Sequence, residues 1–209
     1  MAKLLYIKAS PRTARSYSLA VAEAFVDSYR ASHPDDEIVT LDLFNTELPA
    51  FDGPVIDAKY VIMHGQEHTQ EQLRAWKQVE AIIEQFTSAD KYVLATPMWN
   101  FHIPYKLKHY IDVLVQPTYT FNVSDQGYVG LVTGKPIFVS YARGGEYPAG
   151  TDFEAYDFQT KYVELMLRFI GFTDIRSLIV EPTLMKGPDA AKQKRDQLIL
   201  EAREMARDF

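Results

Sequence analysis

The chain contains no cysteine among its 209 residues, which excludes disulfide bonds, thiolate metal ligands and cysteine nucleophiles. No apolar run approaches the roughly 20 residues of a membrane helix. The apolar stretch near the N-terminus, Leu4–Ile7, is too short for a signal peptide. These absences fit a reducing compartment. We expect a cytoplasmic protein with no membrane partner.

Positive charge is also in short supply. The 22 Lys and Arg residues are outnumbered by 28 Asp and Glu residues, and they form no basic block. We therefore expect no nucleic-acid partner. His64 and His68 are spaced to share a helix face, but no third ligand is evident. We predict no metal site.

Against these absences the sequence shows a clear alternation of elements. Short apolar runs rich in β-branched and aromatic residues predict strands, and the longer segments between them have helical spacing. The predicted strands are Leu4–Ile7, Ile38–Leu41, Tyr92–Ala95, Ile137–Ser140 and Ile175–Val180. This alternation predicts a single α/β domain over residues 1–209, with an open parallel sheet and helices on both faces.

Two stretches interrupt the regular alternation. Residues Asn45–Gly65 contain two prolines and two glycines within an irregular pattern, and we interpret them as a surface excursion or lid. Residues Pro117–Gly134 carry turn signals at their centre and predict a hairpin.

Ligands of open parallel sheets bind beyond the carboxyl ends of the strands. After the first predicted strand, Ser16 and Ser18 stand near a helix start, with Arg12 and Arg15 beside them. Hydroxyl groups and free backbone N–H groups at a helix N-terminus suit a phosphate. No glycine stands here, which excludes a Walker A loop and a glycine-rich dinucleotide fingerprint. The alternative is that Ser16 is an ordinary N-cap in a solvated turn.

The loops after the third and fourth predicted strands contain the other candidate residues. Pro97 and Pro104 enclose the sequence Met-Trp-Asn-Phe-His-Ile, in which the Asn100 amide can pair with a planar heterocycle and an aromatic ring can cover it. Alternatively, the aromatic residues belong to the core and Asn100 caps the next helix. In the other loop, Gly144 and Gly145 allow the backbone to approach a ligand closely, although paired glycines also form plain turns.

Taken together, these motifs resemble those of the FMN-dependent NADH-azoreductases, also called FMN-dependent NADH:quinone oxidoreductases. The resemblance spans nearly the whole chain. It rests on Ser10-Pro11-Arg12 with the following Ser16-x-Ser18, the Pro97–Pro104 block, Thr120-Phe121, Arg143-Gly144-Gly145 and Phe169–Phe172.

This resemblance implies a flavodoxin-like fold with a five-stranded parallel sheet in the order 2-1-3-4-5. It further implies a homodimer with one FMN per site at the subunit interface. Two electrons would pass from a reduced nicotinamide, NADH in preference to NADPH, through FMN to quinones or azo compounds in a ping-pong cycle. The flavin carries such chemistry, so no catalytic side chain is expected.

The resemblance also implies which residues contact the ligands. The implied FMN-binding residues are Ser10, Ser16, Tyr17, Ser18, Pro97, Met98, Trp99, Asn100, Phe101, Ala142, Arg143, Gly144 and Gly145. Possible substrate contacts are His102, Phe121 and Phe172, with Tyr119 as a further candidate. His102 alternatively faces solvent or caps the next helix, and the other three alternatively belong to the core.

Three positions depart from the family pattern, where Tyr, Gly and Ser are usual in place of Trp99, His102 and Ala142. The alanine removes one possible hydrogen bond to the flavin, worth about 1 kcal/mol. Two other functions stay open at this point. One is a flavodoxin-like electron carrier with a protein partner, and the other is a binding module that has lost its cofactor.

Overall fold

The computed structural model describes residues 1–209 as seven strands and six helices, with two short 3₁₀ helices at Thr13–Arg15 and Asp152–Tyr156. The strands are β1 (Lys3–Lys8), β2 (Glu37–Asp42), β3 (Lys91–Pro97), β4 (Phe121–Ser124), β5 (Gly127–Gly130), β6 (Ile137–Ala142) and β7 (Ile175–Val180). The helices are α1 (Tyr17–Ser32), α2 (Gly53–Met63), α3 (Gln70–Thr87), α4 (Tyr105–Leu114), α5 (Phe158–Ile170) and α6 (Gly187–Met205).

Five strands form a parallel sheet in the order β2-β1-β3-β6-β7. Since β6 and β7 are the fourth and fifth strands of this sheet, the predicted order 2-1-3-4-5 is confirmed. The flavodoxin-like α/β class is confirmed with it. Strand order reverses between β1 and β3, which places their carboxyl ends at the position where such sheets bind ligands.

Side chains that alternate along each strand build a core on both faces of the sheet. Leu5 and Ile7 of β1 pack into one cluster, whereas Leu4 and Tyr6 pack into the other. The first cluster is covered by α3, α4 and α5, and the second by α1 and α6. Burial on both faces explains why these strands read as continuous apolar runs.

The two irregular stretches have different outcomes. The hairpin expected in Pro117–Gly134 is present as the antiparallel pair β4-β5. The expectation of an irregular lid over Asn45–Gly65 was wrong for its second half, which is helix α2. Asp52 caps that helix by accepting from the Val55 N–H at 3.4 Å, and Pro54 occupies its first turn. Gly-Pro signalled a helix start here rather than a turn.

None of the six helices combines the length and the apolar character that crossing a bilayer requires. Nowhere do three His, Asp or Glu side chains converge in an arrangement suited to a metal ion.

Candidate functional site

A cavity of about 150 Å³ opens at the carboxyl edge of the sheet, where the loops after β1, β3, β6 and β7 meet. Its lining residues are Ser10, Arg12, Arg15, Ser16, Tyr17, Pro97, Met98, Trp99, Ala142, Gly144, Thr183 and Leu184. The three loops singled out in the sequence therefore come together. The fourth loop, which contributes Thr183 and Leu184, was missed. Its position directly after a strand of the same sheet was the signal that would have found it.

One end of the cavity is formed by serine hydroxyl groups at the start of α1. Ser16 is the N-cap, and its Oγ accepts from the Leu19 N–H at 3.3 Å while lying 3.2 Å from Ser18 Oγ. Both serines and Ser10 are buried. The N–H groups of Tyr17 and Ser18 have no acceptor within the helix, as in any first turn. The capping interpretation of Ser16 holds, and the same residue also contributes to a cluster of donors.

The loop after β3 closes in a tight turn that presents Asn100 at its tip. The Trp99 N–H donates to the His102 carbonyl at 2.8 Å, and the His102 N–H donates back at 3.0 Å. Between them Asn100 and Phe101 have φ of +49° and +67°, as in a type I′ turn. Asn tolerates this region, whereas a left-handed Phe costs about 1 kcal/mol or more. The Asn100 amide makes no hydrogen bond, and the N-cap of α4 is Pro104, so Asn100 is not a cap.

Other aromatic rings lie close to Trp99 and to Phe101 in the loop after β3, and of these two residues Trp99 lines the cavity. Trp99 packs against Phe44, with ring centroids 5.7 Å apart, and against Tyr105 at 6.4 Å. Phe101 is 47% exposed and lies 5.2 Å from the Tyr156 ring. Neither Trp99 nor Phe101 belongs to the core clusters. The alternative that these two aromatic residues are core residues was therefore wrong.

Arg143, one of the FMN-binding residues that the resemblance implies, does not line the cavity. Its side chain is 3% exposed and lies 2.6 Å from an Asp157 oxygen and 2.9 Å from a Glu181 oxygen. These are close ion pairs, although the N–H groups involved do not have the direction of a good hydrogen bond. Asp157 is the N-cap of α5 and Glu181 directly follows β7. Arg143 thus links the loop after β6 to the start of α5 and to the end of β7.

The two carboxyl groups around Arg143 respond to burial in different ways. Burial acts to raise the pKa of Asp157, but hydrogen bonds from Thr160 and the Arg143 cation outweigh it and hold that pKa below its usual value. Burial raises the pKa of Glu181, against the lowering influence of Arg143. The single Arg143 cation therefore stabilises the charged form of Asp157 enough to offset burial, but does not do so for Glu181.

The glycine pair after β6 packs closely against the loop after β7. The Gly144 carbonyl accepts from the N–H groups of Leu184 and Met185 at 3.1 and 3.2 Å. A Cβ at Gly144 would lie 2.9 Å from Leu184 Cδ1, and one at Gly145 would lie 3.1 Å from the Tyr147 hydroxyl. The absence of side chains therefore lets the two loops approach each other and leaves a backbone surface at the cavity.

Comparisons with known proteins agree over the full chain. A family profile described as "Flavodoxin-like fold" matches residues 2–206. The FMN-dependent NADH:quinone oxidoreductase of Nitratidesulfovibrio vulgaris strain DP4 is 53% identical over 209 residues, which cover 100% of both chains. The chain belongs to this oxidoreductase family.

Solved structures of azoreductases have the same fold. The azoreductase of Bacillus anthracis strain Sterne superposes with a TM-score of 0.92 at 34% identity and covers 100% of both chains. An FMN-dependent NADH-azoreductase of B. anthracis strain Ames Ancestor, solved in complex with FMN, gives 0.88 at 29% identity, covering 99% of this chain and 100% of that one.

Within the family pattern, two of the proposed substrate contacts need revision. Phe172 is 1% exposed and packs against Phe86 and Tyr92 in the core, so it cannot touch a substrate. Phe121 lies on the β4-β5 hairpin against Phe169 and does not line the cavity of its own chain. The sequence did not reveal these packing contacts, because Tyr92 is distant along the chain from Phe172, and Phe169 is distant from Phe121. Tyr119, in turn, donates to Glu80 at 2.5 Å.

Proposed function

We propose that this chain is an FMN-dependent oxidoreductase that transfers two electrons from a reduced nicotinamide, preferably NADH, to quinones, and that cleaves azo compounds reductively. The observation that carries the proposal is the cavity itself. It joins serine hydroxyl groups at a helix start to the Trp99 ring, at the edge where this fold binds ligands, and the loop that carries Trp99 also carries the Asn100 amide, which makes no hydrogen bond.

The residues present fit FMN at both ends. Ser10, Ser16 and Ser18, with the free N–H groups at the start of α1, would hold the phosphate. Trp99 and the Gly144 backbone, which line the cavity, would hold the ring system from its two sides. The resemblance also implied five residues that do not line the cavity, namely Ser18, Asn100, Phe101, Arg143 and Gly145. The cavity of about 150 Å³ is smaller than the roughly 300 Å³ of a typical ligand pocket, so part of the ring would extend beyond it.

FMN, when bound, accepts two electrons from a reduced nicotinamide and returns them to an acceptor. The protein's role is then to orient the rings, shape the pocket and exclude competing acceptors, without a general base of its own. Arg143 would hold the glycine loop in place through its ion pairs with Asp157 and Glu181, without lining the cavity.

His102 is the residue of this loop best suited to contribute a proton or hydrogen bond to an acceptor. Its Nδ1 accepts from the Ile103 N–H at 2.8 Å, so the neutral ring carries its proton on Nε2. The ring is partly exposed and lies 4.8 Å from the Tyr162 ring. We expect His102→Ala to change the kinetics with the acceptor and to leave FMN retention nearly unchanged. Unchanged acceptor kinetics would leave His102 with only its hydrogen bond from the Ile103 N–H, inside the loop.

A homodimer with FMN at the subunit interface is part of the proposal, as are a single FMN-binding domain and a cytoplasmic location. A group of exposed aromatic residues supports the dimer, because contiguous exposed apolar surface marks interaction sites. Phe101 (47% exposed) and Tyr156 (48%) have ring centroids 5.2 Å apart, and the N–H of Phe158 (55%) donates to the Phe101 carbonyl.

The ping-pong mechanism is tested by steady-state kinetics with NADH and menadione. Reciprocal plots at several menadione concentrations should run parallel, because the oxidised nicotinamide leaves before the quinone enters. Lines that converge would mean that both substrates bind together, and the shared-pocket mechanism would be wrong.

A further inference from the structure

A second, larger groove of about 480 Å³ continues from the serine end of the cavity towards α6. It shares Arg12, Arg15, Ser16, Tyr17, Thr183 and Leu184 with the cavity. Beyond these residues it is lined by Ala14, Ala20, Gly187, Pro188 and Arg195. With one phosphate on the serines, the part of the groove lined by Ala20, Pro188 and Arg195 would still lie outside the FMN cavity and be open to a second ligand.

The groove is strongly basic on a chain of net charge −6. The guanidinium groups of Arg12 and Arg15 are exposed and form no ion pair or side-chain hydrogen bond within the chain. Arg195 pairs with Asp196 at 2.5 Å, but exposed ion pairs are weak and a phosphate competes for the same fork of donors. The groove lining itself contains no acidic residue, and the exposed Asp189 follows the lining residue Pro188 in the first turn of α6. Three arginines around one groove suit a ligand with several phosphate charges.

We propose that this groove binds the pyrophosphate and adenylate half of the reduced nicotinamide dinucleotide. The inference rests on the proposed function. FMN and the nicotinamide half of the donor share one plan, a planar ring followed by a sugar-derived spacer and a phosphate. If the two rings stacked with their spacers aligned, the donor's phosphates would lie beside the FMN phosphate, and Arg12 and Arg15 line both the cavity and the groove there. The adenylate half would then extend along the groove to Arg195.

Arg195 is the residue that tests this assignment, because it lines the groove and not the FMN cavity. The matched control is Arg203→Gln, on an exposed arginine two turns further along the same helix and outside both cavities. The probe is ADP-ribose, which contains the adenylate and pyrophosphate without the nicotinamide, titrated by calorimetry into the FMN-loaded protein. We expect Arg195→Gln to weaken binding about tenfold and Arg203→Gln to leave it unchanged.

Two results would overturn the assignment without touching the proposed function. One is ADP-ribose binding that is absent or equal in wild type and Arg195→Gln. The other is an affinity no higher than that of inorganic phosphate, which would make the groove a simple anion site.

A kinetic companion experiment compares NADH with reduced nicotinamide mononucleotide, which lacks the adenylate half, as reductants of the bound flavin. Arg195→Gln should raise the Kd for NADH about tenfold and leave that for the mononucleotide unchanged. Equal effects on both would overturn the groove assignment. If neither reductant bleached the flavin of the wild-type protein, the proposed function would be refuted, and the donor site with it.

Discussion

The two ends of the cavity differ in how completely one chain builds them. At the serine end, Ser10, Ser16 and Ser18 are 2%, 6% and 0% exposed, and their positions are fixed by the end of β1 and the start of α1. At the aromatic end, Phe101 and Tyr105 are 47% and 64% exposed, and the turn that carries Phe101 is conformationally strained. Under the proposed function, one chain by itself would hold the phosphate of FMN, whereas the ring end would stay open to substrates and to the proposed partner subunit.

The largest effect is expected at Arg143, which holds the loop between the two ends. Arg143→Met should lower the free energy of unfolding by about 3–5 kcal/mol, because the buried Asp157 and the partly exposed Glu181 lose their cation. Chemical denaturation of the FMN-free protein measures this loss. The control is Arg176→Met, which removes an exposed pair with Asp174 and should cost less than about 1 kcal/mol. Equal losses in the two variants would show that Arg143 is not a structural clamp.

The serine end should discriminate FMN from riboflavin, which lacks the phosphate. Ser16→Ala removes a hydrogen bond to a charged group, worth about 1.5–3 kcal/mol, and should weaken FMN binding about 10- to 100-fold. Riboflavin binding should barely change.

Thr69→Ala is the control for lost capping, since Thr69 caps α3 away from the cavity. It should destabilise the fold by about 1 kcal/mol and leave FMN affinity intact. If Ser16→Ala weakened riboflavin and FMN equally, the assignment of the phosphate to this end would be wrong.

At the aromatic end the smaller contribution of Asn100 can be separated from its backbone strain. Asn100→Gly removes the amide and keeps the left-handed turn, so both FMN and riboflavin should bind about fivefold more weakly, for a loss near 1 kcal/mol. Asn100→Ala also loses about 1 kcal/mol or more of stability, because alanine disfavours φ of +49°. Retention of full flavin affinity in the glycine variant would remove Asn100 from the site.

The smallest effect is a change in how stability depends on pH. Because the pKa of Asp157 is lowered in the folded state, its contribution is complete above the usual pKa of a carboxyl group and is lost as pH falls through the folded value. Asp157→Asn should therefore be less stable than wild type at neutral pH and approach it in acid. Glu181→Gln should show the opposite sign, since a raised pKa destabilises the fold as pH rises through it. Urea titrations at a series of pH values measure both.

Local pattern predicted most of what positions the site. The strands themselves, the hairpin and the serine cap follow from signals contained within a few neighbouring residues, whereas the strand order followed from the family resemblance. The ion pairs of Arg143 could not be predicted in this way, because Asp157 and Glu181 come close to it only once α5 and β7 have taken their places in the fold. The prediction that Phe172 contacts the substrate was wrong for the same reason. An aromatic residue beside a glycine fits either a core or a pocket, and only its packing against Tyr92 decides between them. Helix α2 was missed because Gly-Pro serves both turns and helix starts.

The most direct test of the central claim is an anaerobic absorbance titration of the FMN-reconstituted protein with NADH, followed in the same cuvette by menadione. An electron-transferring FMN site predicts bleaching of the flavin bands by NADH and their full return with the quinone. A bound flavin that NADH does not bleach would contradict that claim and favour an electron carrier with a protein partner. A protein that takes up no flavin would refute the assignment of the cavity.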